Sequence, residues 1–211
     1  MNVKENLSVI QGKIEQACAR SGRQPEEIRI IAVTKYVSEE RTKEALEAGI
    51  RHIGENRAEG LLNKQSHIQE QDGAVWHFIG TLQTRKVKEV IGHADYIHSL
   101  DRLSLAKEIN KRSSAVQACF VQVNASGEQS KHGLKPEEAI PFIKGLREFE
   151  NLKIVGLMTM APLTEDPEVI RSCFRKVKEL QREIIGLNLK FAPCTELSMG
   201  CLLYTSPSPR D

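Results

Sequence analysis

The chain has 211 residues, with 30 Lys and Arg against 28 Asp and Glu for a net charge of +2, and 40% of its residues are hydrophobic. That length forms one domain or two small ones with an ample core, and the near-balanced charge excludes binding to nucleic acid or an anionic membrane driven by bulk electrostatics. Residues 1–10 mix Lys4 and Glu5 into an apolar pattern without a signal-peptide core, and no apolar run reaches the ~18 residues of a membrane span, so the chain reads as cytoplasmic.

The apolar period switches repeatedly along the chain. Val3, Leu7, Ile10, Ile14 and Cys18 recur at steps of four and three, which predicts an amphipathic helix. Residues 28–33 then read as a buried strand. Ser38, followed by Glu39 and Glu40, predicts the N-cap and first turn of a helix that Gly49 stops. Further strands are predicted at 52–56, 75–80, 96–100, 118–124, 152–160 and 196–199. Helices are predicted between them at 58–70, 84–91, 102–111, 137–147 and 167–185. The last opens on an Asp166-Pro167 cap, lines one face with Val169, Cys173, Val177, Leu180 and Ile184, and stops at Gly186.

Strands that alternate with helices are parallel, because the chain returns to the starting edge through the helix. Seven of them suit a (β/α)8 barrel or a doubly wound sheet. Polar groups end nearly every strand: Lys35, Glu55-Asn56, Thr81, Asp101, Asn124, Thr159-Met160 and Ser198. In a barrel all would face one mouth, where barrel sites lie, so the barrel is favoured. It occupies residues 1–200. Residues 201–211 carry Pro207 and Pro209, which suit neither a helix interior nor a central strand, and are expected to be a foreign or disordered tail that leaves the barrel one βα unit short.

No GxxxxGK[ST], GxGxxG, HExxH or GxSxG is present, which weakens nucleotide, zincin and hydrolase readings. Five cysteines, at 18, 119, 173, 194 and 201, form no CxxC pair and read as reduced. Histidines 52, 67, 93, 98 and 132 show no metal-ligand spacing, and Arg85, Lys86 and Lys88 read as a solvated helix face. The apolar run Ala32-Val33-Thr34 delivers Lys35 to a strand end. If desolvated, its amine would attack an aldehyde to form a Schiff base; the alternative is a lysine that snorkels to water. His77 either faces the mouth and contacts a ligand ring or is a buried histidine bonded to backbone. Asn56 either holds a ligand hydroxyl or satisfies a turn, and Met158 with Met160 forms either an adaptable wall or plain core.

Several runs together carry a resemblance: Ile31-Ala32-Val33-Thr34-Lys35, Ile53-Gly54-Glu55-Asn56, Trp76-His77-Phe78-Ile79-Gly80, Gln83, Ser130-Lys131-His132-Gly133, Gly156-Leu157-Met158 and Leu197-Ser198-Met199-Gly200. In this order they resemble the pyridoxal 5′-phosphate homeostasis protein family, over essentially residues 1–200. The resemblance implies the barrel of the alanine racemase N-terminal domain, of the fold type III kind, preceded by a helix. It implies pyridoxal 5′-phosphate as cofactor, held by Lys35 as an internal aldimine, with Asn56, His77 and Met158 lining the pyridine ring and Ser198 binding the phosphate. It also implies a monomeric carrier or buffer of the cofactor, without metal or catalytic residues, that passes it to apo-enzymes and has no nucleic-acid or membrane partner.

The family pattern continues past Leu-Ser-Met-Gly into a Met-Ser-rich turn, a helix and a last strand with an Arg-Ile-Gly run, which are missing here. Weak phosphate retention, and poor solubility from unpaired first and seventh strands, are therefore expected. Two other functions remain. An amino-acid racemase needs an acid and a base on opposite faces of the substrate, and its fold relatives take the second from an additional β-domain. Tyr36 follows Lys35 and should point elsewhere, Tyr96 is on another strand and Tyr204 lies in the tail. A cofactor-free Schiff-base lyase usually places its lysine on a later strand.

Overall fold

The computed structural model describes residues 2–68, 73–128 and 132–200. Those up to Gly80, with His93–Asp95, form one compact unit; Thr81–Gly92 and the residues from Tyr96 onward form a second.

The first unit opens with helix α1 (Val3–Ser21), in which Asn2 Oδ1 accepts from the Glu5 amide at 2.8 Å and Glu5 accepts in return from the Asn2 amide at 3.3 Å. This reciprocal cap satisfies amides that a helix start leaves without partners. Then follow β1 (Ile31–Val33), α2 (Glu39–Glu47), β2 (His52–Glu55), α3 (Ala58–His67) and β3 (Val75–Phe78). β1 is half the predicted length because Pro25–Glu27 forms a 3-10 turn whose last bond, from the Ile28 amide to the Pro25 carbonyl, keeps the chain turning up to that residue. Ser38 caps α2 as predicted, accepting from the Arg41 amide, and Gly49 leaves the helix with φ of 102°. The end predicted for α3 falls partly on residues 69–72, outside the described residues.

β1 pairs with β2 and β2 with β3, all parallel, in the register Val33, Gly54, His77. Residues in register share a face and their sequence neighbours point the other way. Val33, Gly54 and His77 therefore lie on one face, while Glu55, Trp76 and Phe78 lie on the other.

The second unit begins with a 3-10 turn (Thr84–Lys86) that runs into the single-turn α4 (Val87–Val90), where one helix was predicted. β4 (Tyr96–Leu100), α5 (Leu103–Arg112), β5 (Gln117–Gln122), α6 (Pro136–Lys144), β6 (Leu152–Met160), α7 (Pro167–Gly186) and β7 (Glu196–Gly200) complete it. β4 to β7 pair in parallel in chain order, with a register shift between Cys119 and Phe120 against β6. Asp166 caps α7 by accepting from the Glu168 amide at 2.8 Å. Cys173, Val177, Leu180 and Ile184 are buried along one face, each full burial of an aliphatic side chain contributing roughly 1.5–3 kcal/mol. Val169, expected on that face, is 44% exposed because it sits in the first turn. Gly186 does not stop the helix: it is the last helical residue, Leu187 caps it, and the left-handed turn comes at Asn188 with φ of 50°.

Cys18, Cys119, Cys173 and Cys194 are free and buried. Burial pushes the Cys119 and Cys194 thiols up, so both act as small apolar groups. Among the described residues no helix is long and apolar enough to cross a membrane.

Candidate functional site

In the first unit, every polar atom of Thr34 is held. Its amide donates to the Gly54 carbonyl at 2.9 Å, its hydroxyl donates to Glu55 Oε1 at 2.6 Å, and its carbonyl accepts from Lys64 Nζ at 2.5 Å and from the Val37 amide at 3.1 Å. Lys64 Nζ also donates to Glu55 Oε1 at 2.5 Å, and Thr34, Glu55 and Lys64 are all buried. Gly60 leaves room for the carboxylate, since a Cβ there would lie 2.8 Å from Glu55 Oε2. An ion pair taken out of water adds little net stability, yet removing one partner costs roughly 3–5 kcal/mol because the other charge is stranded.

The bond from the Val37 amide back to Thr34 closes a four-residue turn with Lys35 second and Tyr36 third. Tyr36 has φ of 67°, a region that costs a bulky L-residue of order 1–3 kcal/mol and that type II turns normally give to glycine. The turn ends β1 two residues before Lys35 and lifts that side chain out of the sheet. Lys35 is therefore exposed, so of the two readings of this residue the structure shows the lysine that reaches water rather than the desolvated amine; Lys64 is a buried lysine. Lys35 Nζ stands 5.9 Å from the Tyr36 ring centroid and makes no ion pair or hydrogen bond among the described residues. Arg57 approaches the same ring at 5.9 Å. Tyr36 thus lies beside Lys35, contrary to the sequence expectation, because the two occupy a turn rather than alternate positions of a strand.

Asn56 follows β2, half-buried, and its carboxamide forms no hydrogen bond among the described residues. Its backbone is pressed against Gly80, where a Cβ would come within 2.3 Å of the Asn56 carbonyl oxygen. Only glycine fits there, which gives the Trp-His-Phe-Ile-Gly run a physical reason. His77 is 3% exposed, and its Nε2 lies 2.8 Å from His52 Nδ1. One of these nitrogens must donate and the other accept, so this edge of the His77 ring is already engaged.

In the second unit, Met158 packs with Phe120 and Val155, and Tyr96 and Met160 lie against that cluster. Gly156 permits the packing: a Cβ there would come within 2.1 Å of the Glu196 carbonyl oxygen and 2.9 Å of the Phe120 ring. Ser198, in register with Met158, has its hydroxyl 2.9 Å from His98 Nδ1. The His98 ring stacks on Phe120 at 4.3 Å between centroids. His98 is fully buried, and burial lowers its pKa to about 3, so it is neutral at physiological pH.

Several of the polar strand-end groups are engaged within their own unit. Glu55 turns to Lys64 on α3, Thr159 donates to the Val123 carbonyl at 2.8 Å, Asp101 pairs with Arg102 at 2.6 Å, and Asn124 organises the turn through Ser126 and Gly127. Lys35 and Asn56 remain open in the first unit, and Met158 with Ser198 lies on one strand pair in the second. Ser130 and Lys131 fall outside the described residues, as do residues 201–211. The Thr34–Glu55–Lys64 network and the His98–Ser198 contact were missed in the sequence. The signal for the first was present: Lys64 sits on the apolar stripe of α3 with Leu61, nine residues after a strand-end glutamate.

Comparison with known proteins matches residues 6–200 to the family described as the alanine racemase N-terminal domain. A relative in Aquifex aeolicus, named pyridoxal phosphate homeostasis protein, is 40% identical over 187 residues, covering 87% of this chain and 82% of that one. Among solved structures, one from Bifidobacterium adolescentis superposes with a TM-score of 0.87 at 25% identity, covering 94% of this chain and 91% of that one. PipY of Synechococcus elongatus, solved with PLP bound, superposes with a TM-score of 0.69 at 24% identity, covering 89% and 96%. The parallel strands, the alternating helices and these likenesses together give the α/β fold of the alanine racemase N-terminal barrel, and the chain belongs to the pyridoxal phosphate homeostasis protein family within it.

Proposed function

We propose that this chain binds pyridoxal 5′-phosphate through Lys35 and acts as a carrier or buffer of that cofactor inside the cell, without turning over a substrate. The observation that carries this reading is the placement of Lys35: it follows a residue held at every polar atom, and its own Nζ is engaged in no ion pair or hydrogen bond among the described residues. The family's name and the presence of PLP in PipY support the choice of ligand.

In this reading residues of each unit would contribute to holding the group. When bound, pyridoxal phosphate supplies an aldehyde that condenses reversibly with a primary amine, releasing water. Lys35 offers that amine. Asn56 offers a carboxamide with donor and acceptor both available, and Met158 offers a soft apolar surface backed by Phe120. His77, already engaged by His52, would line the pyridine ring in this reading. Ser198 would hold the phosphate through hydroxyl capacity beyond its contact with His98. Residues 1–200 form the cofactor-binding region in this reading.

A carrier needs a reversible bond and no proton shuttle on the substrate. A racemase needs a second acid or base opposite the lysine. Of the described tyrosines, Tyr36 is 63% exposed beside Lys35 on its own turn, and Tyr96 packs against Phe120 at 6.1 Å between centroids. Titration of the chain with pyridoxal phosphate should develop a yellow absorbance that Lys35→Ala abolishes, with no amino-acid racemisation above that of the free cofactor. Lys35-dependent racemisation at ordinary enzyme rates would establish the racemase instead, and an unchanged spectrum in Lys35→Ala would remove the site.

A further inference from the structure

We propose that Lys64, acting with Glu55 through Thr34, is a positioning residue for Lys35; the inference rests on Lys35 being the cofactor-holding amine. Thr34 and Lys35 share one peptide group, so the Thr34 carbonyl and the Lys35 amide lie in one plane. Lys64 Nζ at 2.5 Å and the Val37 amide at 3.1 Å both donate to that carbonyl, filling its two lone-pair positions. The plane from which the Lys35 side chain departs is thereby fixed.

Glu55 completes the device from below. Its Oε1 accepts from the same ammonium at 2.5 Å and from the Thr34 hydroxyl at 2.6 Å, so the side chain and the carbonyl of Thr34 are tied to one buried ion pair. The Thr34 amide bond to Gly54 ties the residue to β2. An ion pair whose task was only to join α3 to the sheet would need no contact with the peptide that precedes Lys35.

The direction of these bonds also matters for Tyr36. A left-handed tyrosine persists only where its surroundings over-determine it, and the turn containing Tyr36 is anchored at its first residue by this network. Without that anchor the turn relaxes, and Lys35 samples directions that do not present its amine. The network thus converts the cost of a buried charge pair into a fixed launch point for a flexible side chain.

The test uses the full 211-residue chain, with and without pyridoxal phosphate, as wild type, Lys64→Met, Thr34→Val, Thr34→Ser and the surface control Lys86→Met. Hydrogen exchange of the 33–38 segment in the cofactor-free protein and the dissociation constant for pyridoxal phosphate are both read. Lys64→Met should speed exchange in that segment alone and weaken binding by about tenfold or more, as expected when a reacting group is misplaced by roughly 1 Å. Thr34→Val, which replaces the hydroxyl with a methyl, should shift both in the same direction, and Thr34→Ser, which keeps the hydroxyl, should leave both near wild type. Lys86→Met should leave both unchanged.

Should Lys64→Met fail to fold, the two Thr34 variants decide. Folded Lys64→Met or Thr34→Val with wild-type exchange and wild-type affinity overturns the proposal, and so does exchange that rises uniformly along the chain. Wild-type protein that takes up no pyridoxal phosphate refutes the functional reading instead, and the exchange readout then judges the positioning by itself.

Discussion

Lys35 and His98 mark what single residues disclose and conceal. A lone lysine after an apolar run was readable as a candidate amine, but its exposure depends on a turn that begins at Thr34, and a turn with tyrosine in the left-handed position has no sequence signature. His98 was readable only as lacking metal-ligand spacing. Its burial against Phe120 brings together residues 22 positions apart on adjacent strands, next to a shift in their register, which local pattern does not show. Burial holds its pKa near 3, below the usual 6.5, so between those values the unfolded chain takes up a proton that the folded one refuses. Stability from this residue is therefore complete above pH 6.5 and lost as pH falls toward 3. Urea unfolding should show His98→Gln losing less stability than wild type across that window, by on the order of 1 kcal/mol per pH unit. Equal slopes in the two proteins would refute this assignment.

At the scale of elements, existence was legible and ends were not. All seven strands and the long helices were read from apolar period together with caps and stops, because the 3.6-residue and 2-residue repeats are set by burial. The ends moved where backbone bonds outvoted side-chain pattern, as at the 3-10 turn before β1 and the one before α4. The glycines of the matched motifs earn their place at this level. Gly156→Ala would drive a Cβ into the Glu196 carbonyl and the Phe120 ring, so β6 and β7 must separate. The variant should lose about 1–3 kcal/mol, measured as a lower denaturation midpoint, with Gly12→Ala on open α1 surface as a control that loses none. A wild-type midpoint for Gly156→Ala would contradict the packing described for β6.

For the whole molecule, the nearly neutral charge and the strand-helix alternation set the class, and the family match over residues 6–200 agrees with it. The chemistry was only half legible. Lys35, Asn56 and Met158 could be named from strand ends and motif runs, whereas the support beneath Lys35 depends on Glu55 pointing to the helix side, which a strand-end rule cannot distinguish from pointing to the mouth. Carrier and racemase alike depend on the Lys35 amine. The most direct measurement is borohydride reduction of the chain mixed with pyridoxal phosphate, followed by peptide mass mapping. The account predicts one stoichiometric adduct, on Lys35, absent from Lys35→Ala; an adduct spread over surface lysines, or concentrated on any other lysine, would contradict it.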